Sequence, residues 1–194
     1  MTVTAVRAIG ARVPVAVDPE HLRVEVLGVP AFAIVAYGDP ATQGSISFKG
    51  MRKGKPIMVA SGAVNLAKWR GQITAAALTA MPWGFEVLDG PLVMDLVVTL
   101  PRPVAAPKTL RRLPATKPDL DKLARAAGDA LGTDTKAANR PVITEDSRIV
   151  AFRRLEKVYE GDPYDPDALR RPGAVIRLWP YPPGYLDKMK ARNG

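Results

Sequence analysis

The sequence predicts an α+β fold in which a mixed β-sheet packs against two main α-helices. Two segments, 63–81 and 119–132, carry apolar residues at helical spacing, while 90–103 and 173–179 are apolar runs bounded by glycine and proline. A chain of 194 residues is long enough to bury such a sheet and its helices around one core. Strands and helices alternate without an internal repeat, so we expect one main domain.

The strands are predicted from short runs rich in Val, Ile and Leu. The run at 90–103 is almost continuously apolar, as expected of a central strand that is covered on both faces. Pro30 interrupts the first run, which therefore indicates one or two strands. A basic stretch through Gly54 and an extended loop at 104–118 are predicted to connect the elements. The strand-like runs are 22–37, 56–61, 90–103, 142–159 and 173–179.

Both predicted helices have recognisable boundaries. The first runs from Ala63 to Met81 and is closed by Pro82, with Trp69 on its apolar face. The second lies in "TKPDLDKLARAAGDALG", where Asp119 is placed as the N-cap and Gly132 as the left-handed residue that ends the helix. We expect both Trp69 and Trp179 to lie in the core.

Residue types exclude several kinds of site. The chain contains no cysteine, which excludes disulfides, thiolate metal sites and cysteine nucleophiles. His21 is the only histidine, which excludes zinc sites built from several imidazoles, and we expect it at the surface. No apolar run approaches the ~20 residues of a membrane-spanning helix, and no secretory leader is evident. We therefore expect a cytoplasmic protein that needs no membrane and no small-molecule substrate.

The positive charge of the chain is concentrated in two segments. Lysine and arginine number 28 against 19 aspartate and glutamate, which gives a net charge of +9 and a pI near 10.0. Residues 48–70 hold six basic and no acidic side chains, and residues 101–125 hold seven basic and two acidic side chains. Such clusters favour an anionic partner such as nucleic acid, although a solvated basic surface is the plain alternative.

Asp119 and Asp121 lie within the second basic segment, and two neighbouring acidic residues in such a segment require an explanation. Helix capping is the ordinary explanation, with Asp119 as cap and Asp121 favouring the helix dipole. Capping needs only one carboxylate, however, and crowding two of them costs energy unless a cation offsets the charge. Glu145 and Asp146 follow after the helix and its loop. Carboxylates gathered in a basic groove are what magnesium-dependent phosphodiester cleavage requires.

These motifs resemble the RusA family of Holliday-junction resolvases. The resemblance lies in Lys-Pro-Asp-Leu-Asp-Lys-Leu at 117–123, a short helix with Asp-Ala-Leu near its end, and acidic-Asp-Ser-x-Ile-Val at 145–150. Upstream, "GDPATQGSISF" and "MVASGAVNLAKWRGQI" are similar to the early segments of that family. The resemblance covers about residues 31–160. It implies a RusA-like domain at 31–180, with an extension at 1–30 and a tail at 181–194.

The resemblance implies metal-binding carboxylates at Asp119, Asp121 and Asp146, which would hold Mg²⁺, with Mn²⁺ as a substitute. The catalytic basic residue of the family, usually lysine, falls at Arg125, and Lys122 stands where members tend to have asparagine. We expect branched DNA as substrate, a homodimer as the assembly, and basic side chains that follow the DNA backbone. Those side chains are Lys49, Arg52, Lys53, Lys55, Lys108, Arg111, Arg112, Lys117 and Lys122.

Two other functions fit parts of the pattern. In the first, the protein binds nucleic acid or assembles with it but has no activity, and its aspartates only cap a helix. In the second, Asp119 and Asp121 form the metal motif of a nucleotide-sugar transferase, which would place them at the end of a strand. We also expect Asp129 to pair with Arg125, four residues earlier on the same helix.

Overall fold

The computed structural model describes residues 27–42, 46–52, 54–60, 62–104, 111–132 and 140–181. Two helices and a mixed four-stranded sheet confirm the α+β prediction. The strands are β1 Phe32–Tyr37, β2 Ile46–Arg52, β3 Lys55–Ala60, β4 Leu92–Leu100, β5 Ile149–Tyr159 and β6 Gly173–Pro180. The helices are α1 Ala63–Ala80 and α2 Leu120–Leu131. A 3-10 turn, Asp146–Arg148, precedes β5.

The main sheet has the order β1-β6-β4-β5, and β2 with β3 forms a separate two-stranded hairpin. β6 pairs antiparallel with both β1 and β4, whereas β4 and β5 are parallel. The parallel pair needs a long crossover, and the chain between β4 and β5 contains α2. β5 is consequently an edge strand that is tied to the sheet through β4 alone.

Both helices cover the same face of the sheet. Alternate residues of β4, from Leu92 to Leu100, pack into one core with Trp69 and Ile73 of α1 and Leu123 of α2. α1 contacts β1 and α2 contacts β5, so the two helices lie side by side over the sheet. Among the described residues, no helix is long and apolar enough to cross a membrane.

The second face of the sheet is covered by polar side chains and an ordered segment after β5. Asp95 of β4 is completely buried and accepts hydrogen bonds from Nε of Arg153 at 2.8 Å and from the backbone N–H of Arg154 at 3.1 Å. Trp179 is 2% exposed on this face and donates from Nε1 to the backbone oxygen of Gly28 at 3.0 Å. Every residue of β4 is buried, as expected for a central strand with both faces covered.

Several predicted boundaries differ from the structure. Within the described part of 22–37, only 32–37 forms a strand. The basic stretch at 46–52, predicted as a connection, is strand β2. The strand predicted from Val142 begins at Ile149, and Gly132 ends α2 in an extended conformation with φ −80° instead of the predicted left-handed one.

Candidate active site

Asp119 and Asp121 stand at the start of α2. Asp119 has extended backbone angles, and its carbonyl oxygen accepts the N–H of Leu123 at 3.1 Å, which begins the helix. The buried side chain of Leu123 turns one face of α2 toward the core, and the side chain of Asp121 is exposed on the outer face. The Asp-x-Asp pair thus lies at a helix start, which argues against the transferase motif at a strand end.

The side chain of Asp119 does not cap the helix. It accepts no hydrogen bond from the backbone N–H groups of α2 and instead forms an ion pair with Lys122, with Nζ 2.8 Å from Oδ2. The hydrogen bond from Lys122, together with the charge of that ammonium group, holds the pKa of Asp119 below its usual value, and Lys117 and Lys157 contribute. The same pair raises the pKa of Lys122. Both groups are therefore charged at neutral pH.

Lys157 holds the segment that leads into Asp119. Its Nζ donates to the backbone oxygens of Thr116 at 2.8 Å and Pro118 at 2.9 Å. These carbonyl groups precede the helix and have no partner within it, so the lysine fixes the start of α2 to the edge strand β5. The sequence motifs did not identify Lys157, because the residues around a single lysine in a strand do not indicate which groups that lysine contacts.

Asp146 begins the 3-10 turn, not a strand, and this turn lies against the second half of α2. A Cβ atom built at Gly128 would lie 3.2 Å from Cβ of Asp146. Any residue other than glycine at this position would therefore push Asp146 away from the helix. Gly132 lies below the same turn, with its Cβ position 3.6 Å from the backbone nitrogen of Asp146. Oε2 of Glu145 accepts a hydrogen bond from Oγ of Ser147 at 3.0 Å, which stabilises the turn.

The loop between α1 and β4 fixes the other side of this turn. Leu88 forms an isolated parallel bridge with Ile143. Asp89 accepts a hydrogen bond from Oγ1 of Thr144 at 2.9 Å and forms an ion pair with Nε of Arg148 at 3.0 Å. These contacts explain why 142–148 is not a continuous strand, since its backbone groups pair with Leu88 of the loop and with Leu131 at the end of α2 instead of with β4.

Asp146 lies on the helix face that carries Asp121 and Arg125. Residues 121, 125 and 128 are spaced four and three apart, which places them on one face of α2. Asp121 and Gly128 are separated by about 10 Å along the helix axis, since seven residues rise about 1.5 Å each. Arg125 lies between them. Within the part of the chain that the structure describes, no three acidic or histidine side chains come close enough together to hold one metal ion.

The charged groups of Asp121, Arg125 and Asp146 are exposed and form no ion pair with any described residue. The predicted pairing of Asp129 with Arg125 is wrong, because Asp129 pairs with Arg70 of α1. Each step of four residues rotates the side chain by about 40° around a helix, so Asp129 has turned toward α1 while Arg125 remains at the surface. Arg125 is therefore available to an external anion.

The described basic side chains differ in their surroundings. Arg52 and Lys55 are exposed on the hairpin of β2 and β3, and Arg112 and Lys117 are exposed before α2. Arg111 is already paired, with Nε 3.0 Å from Oδ2 of Asp162. Its guanidinium also lies 5.6 Å from the centre of the Tyr164 ring, so the segment after β5 anchors the second basic segment. Lys53, Lys108 and the side chain of Lys49 lie outside the described part of the structure.

Comparison with protein families gives a match over the region that contains the candidate site. A family model described as Endodeoxyribonuclease RusA matches residues 42–164, which is more than half of the chain. The matched range includes the hairpin, both helices, Asp119, Asp121 and Asp146. No curated protein matches the chain significantly.

Proposed function

Because this chain belongs to the RusA family of endodeoxyribonucleases, we propose that it is a metal-dependent, structure-selective nuclease that cuts branched DNA, including Holliday junctions, in recombination and repair. The family itself indicates endodeoxyribonuclease activity. The observation that carries the finer proposal is the outer face of α2, where Asp121 and Arg125 are exposed and Asp146 packs at Gly128.

The metal we propose is Mg²⁺, with Mn²⁺ as a substitute, held by Asp119, Asp121 and Asp146. Exposed carboxylate oxygens are the hard donors that Mg²⁺ prefers, and Asp121 and Asp146 form no ion pair with a described residue. Mg²⁺ binds through one or two carboxylates together with water and phosphate oxygens, so the proposed site does not need all three on one ion. When bound, the ion supplies positive charge at the phosphate and a more acidic bound water.

Arg125 supplies a fixed positive charge at the reacting phosphate. A guanidinium has the planar donor geometry that matches two phosphate oxygens. It therefore stabilises the negative charge that develops during cleavage and does not transfer a proton. Lys122 keeps Asp119 ionised through their ion pair and adds a second cation at the start of α2.

The exposed basic side chains position the DNA. Arg52 and Lys55 of the hairpin and Arg112 and Lys117 before α2 provide exposed positive charges. Such contacts fix the orientation of the DNA backbone without reading its sequence. The remaining proposed contacts are Lys49, Lys53, Lys108, Arg111 and Lys122.

A homodimer is the assembly that we propose, because a four-way junction has two-fold symmetry and two opposed strands must be cut. β5 is an edge strand of the sheet and exposes Val150 and Phe152, which are 56% and 36% accessible. An unpaired edge with exposed apolar side chains supports pairing with a second chain. The apolar face of α1 is not available for such pairing, because Leu66, Trp69 and Ile73 on it are buried in the core.

Cutting of defined DNA substrates tests the proposal. Purified protein is incubated with a synthetic four-way junction, a fork and a linear duplex, with and without Mg²⁺. We expect metal-dependent cutting of the branched substrates, and a loss of at least about 100-fold in Asp121→Asn and Asp146→Asn with junction binding retained. Glu86→Gln, which removes another exposed carboxylate, is the matched control. Cutting that survives both aspartate substitutions would refute the proposed site.

A protein that binds nucleic acid without cutting it remains the alternative class. That alternative explains Asp119 as a helix cap, yet the Asp119 side chain makes no capping hydrogen bond. It would be supported by tight junction binding without cutting under every metal condition.

A further inference from the structure

Trp83 is the one tryptophan of the chain that is exposed to solvent. It lies in the loop between α1 and β4 and is 100% exposed, whereas Trp69 and Trp179 are 1% and 2% exposed. Tryptophan is a large side chain that is highly buried on average, because its burial removes much apolar surface from water. The fold gains no such burial from Trp83, so this side chain is free to pack against a ligand.

The backbone that carries Trp83 is fixed in position. The four residues from Pro82 to Phe85 form a turn, which is closed by a hydrogen bond of 3.2 Å from the N–H of the last residue to the oxygen of the first. Gly84, the third residue of the turn, has φ +74°, a backbone conformation that favours glycine. The ring of Phe85 packs on Phe32 of β1, with the ring centroids 5.4 Å apart. Since the turn is already ordered, binding at Trp83 costs little backbone entropy.

The loop that carries Trp83 is bonded to the segment that carries Asp146. Five residues after Trp83, the N–H of Leu88 donates to the oxygen of Val142 at 2.8 Å, and the oxygen of Leu88 accepts the N–H of Thr144 at 3.2 Å. Five residues of chain span at most about 18 Å. β4 and β5 are parallel and begin side by side. Trp83 and Asp146, which precede these strands, therefore lie at the same end of the sheet, and one DNA substrate can contact both.

The surroundings of Trp83 favour a base over a phosphate. Residues 71–101 contain no lysine or arginine, and the acidic residues that follow Trp83 most closely are Glu86 and Asp89. Asp89 forms an ion pair with Arg148. Binding of the DNA backbone depends on cations that neutralise phosphates, which this turn does not provide. The flat face of an aromatic ring instead stacks on a nucleobase, and every base offers such a face.

We propose that Trp83 stacks on a base that is unpaired at the branch point of the DNA, and that this contact contributes to a preference for branched over linear DNA. The inference rests on the proposed nuclease function and adds to it a residue that determines structural selectivity. In a linear duplex, neighbouring bases cover both faces of each base, so a base must be unstacked before Trp83 can contact it. Unstacking costs least where a base is already unpaired. Stacking on Trp83 therefore favours branched DNA whichever base is present.

The emission of Trp83 reports this contact directly, because the other two tryptophans are buried. Asp121→Asn protein, which should bind without cutting, is titrated with a four-way junction and with a linear duplex of the same sequence. We expect the junction to quench the emission and to protect it from acrylamide, and the duplex to do so much less. The double variant Trp83→Phe, Asp121→Asn should show neither change. Equal quenching by junction and duplex, or quenching that persists in the double variant, would refute the stacked base.

Substitution of Trp83 separates stacking from phosphate contacts. Affinities for junction and duplex are measured by fluorescence anisotropy in the Asp121→Asn background. We expect Trp83→Ala to reduce the preference for the junction about 10-fold, as expected for the loss of one base stacked on an aromatic side chain. Trp83→Phe should keep most of the preference, since a phenyl ring also stacks. The slope of log K against log salt concentration should not change, because no phosphate contact is lost. Val64→Ala, which removes another exposed apolar side chain, is the matched control and should keep the full preference.

The outcomes separate this inference from the proposed function. If wild-type protein cuts no branched DNA with any metal, the nuclease proposal fails and this inference fails with it. If wild-type protein cuts junctions but Trp83→Ala keeps the full preference for them, the stacking is refuted and the nuclease proposal stands. Quenching of Trp83 that grows with protein concentration in the absence of DNA would assign this residue to a contact between copies of the chain and would also refute the stacking.

Discussion

Arg125 is the cation on which the chemistry of the proposed site depends most directly. It lies one turn after Asp121 and one turn before Gly128, where Asp146 packs, and no described acidic residue pairs with it. We expect Arg125→Gln to lower kcat for junction cutting roughly 100-fold, because a charge facing the transition state is lost. Arg125→Lys keeps the charge and should retain most of the activity. Equal rates for Arg125→Gln and wild type would contradict the role of this residue.

Local motifs located individual residues in the fold where their position depended on sequence neighbours. Asp119 and Asp121 stand together at a helix start, so sequence alone located them. Partners that are distant in the sequence were not predictable in this way. Lys157 reaches Thr116 across 41 residues, and Asp129 pairs with Arg70 across 59 residues, which no spacing rule on one helix could indicate.

The contact between α2 and the 3-10 turn sets where Asp146 lies, and Gly128 makes that contact possible. We expect Gly128→Leu to push the turn away from the helix and to lower cutting about 100-fold, the effect of a displacement of about 1 Å. The matched control is Gly71→Leu in α1, where a Cβ meets nothing within 4 Å. That control should cut like wild type and unfold at the same or a slightly higher temperature, since leucine favours a helix. Similar cutting by both variants would argue against a fixed Asp146.

Elements were predictable where one periodic pattern decided the structure. α1 spans 63–80 and β4 spans 92–100, both inside their predicted ranges, because helical spacing and a continuous apolar run are strong signals. β2 was missed because its glycine and basic residues lack strand alternation, and it forms by pairing with β3. The start of β5 was misplaced because Ile143 pairs with Leu88, a partner that the local pattern does not contain.

At the scale of the whole molecule, ion pairs on the second face of the sheet should make stability depend on pH. Hydrogen bonds from Arg177, at 2.6 and 2.9 Å, together with its charge, hold the pKa of Asp167 below its usual value despite burial. A carboxyl whose pKa is lower in the folded state stabilises the fold fully above about pH 4, and the contribution is lost as the pH falls through the folded pKa.

This pH dependence is measured from thermal unfolding between pH 7 and pH 3. We expect the unfolding temperature of wild type to fall more steeply below about pH 4 than that of Asp167→Asn, which has already lost the charge. Glu86→Gln, an exposed substitution, should follow wild type. Parallel curves for wild type and Asp167→Asn would show that the Arg177 pair does not contribute to acid sensitivity.

The positions of the exposed arginine and lysine side chains predict how salt affects DNA binding. Arg52 and Lys55 are exposed on the hairpin, whereas Arg170 and Arg171 lie after β5, with Arg171 over the Tyr37 ring on the face away from the helices. Each phosphate contact contributes about 0.9 to the slope of log K against log salt concentration. Replacing Arg52 and Lys55 by alanine should therefore reduce the slope by about 2, and replacing Arg170 and Arg171 should leave it unchanged.

Junction binding measured by fluorescence anisotropy from 50 to 200 mM salt, roughly the range over which such contacts are lost, distinguishes the two pairs. Equal reductions for both pairs would mean that DNA is held by the net charge of the protein and not by contacts of the hairpin.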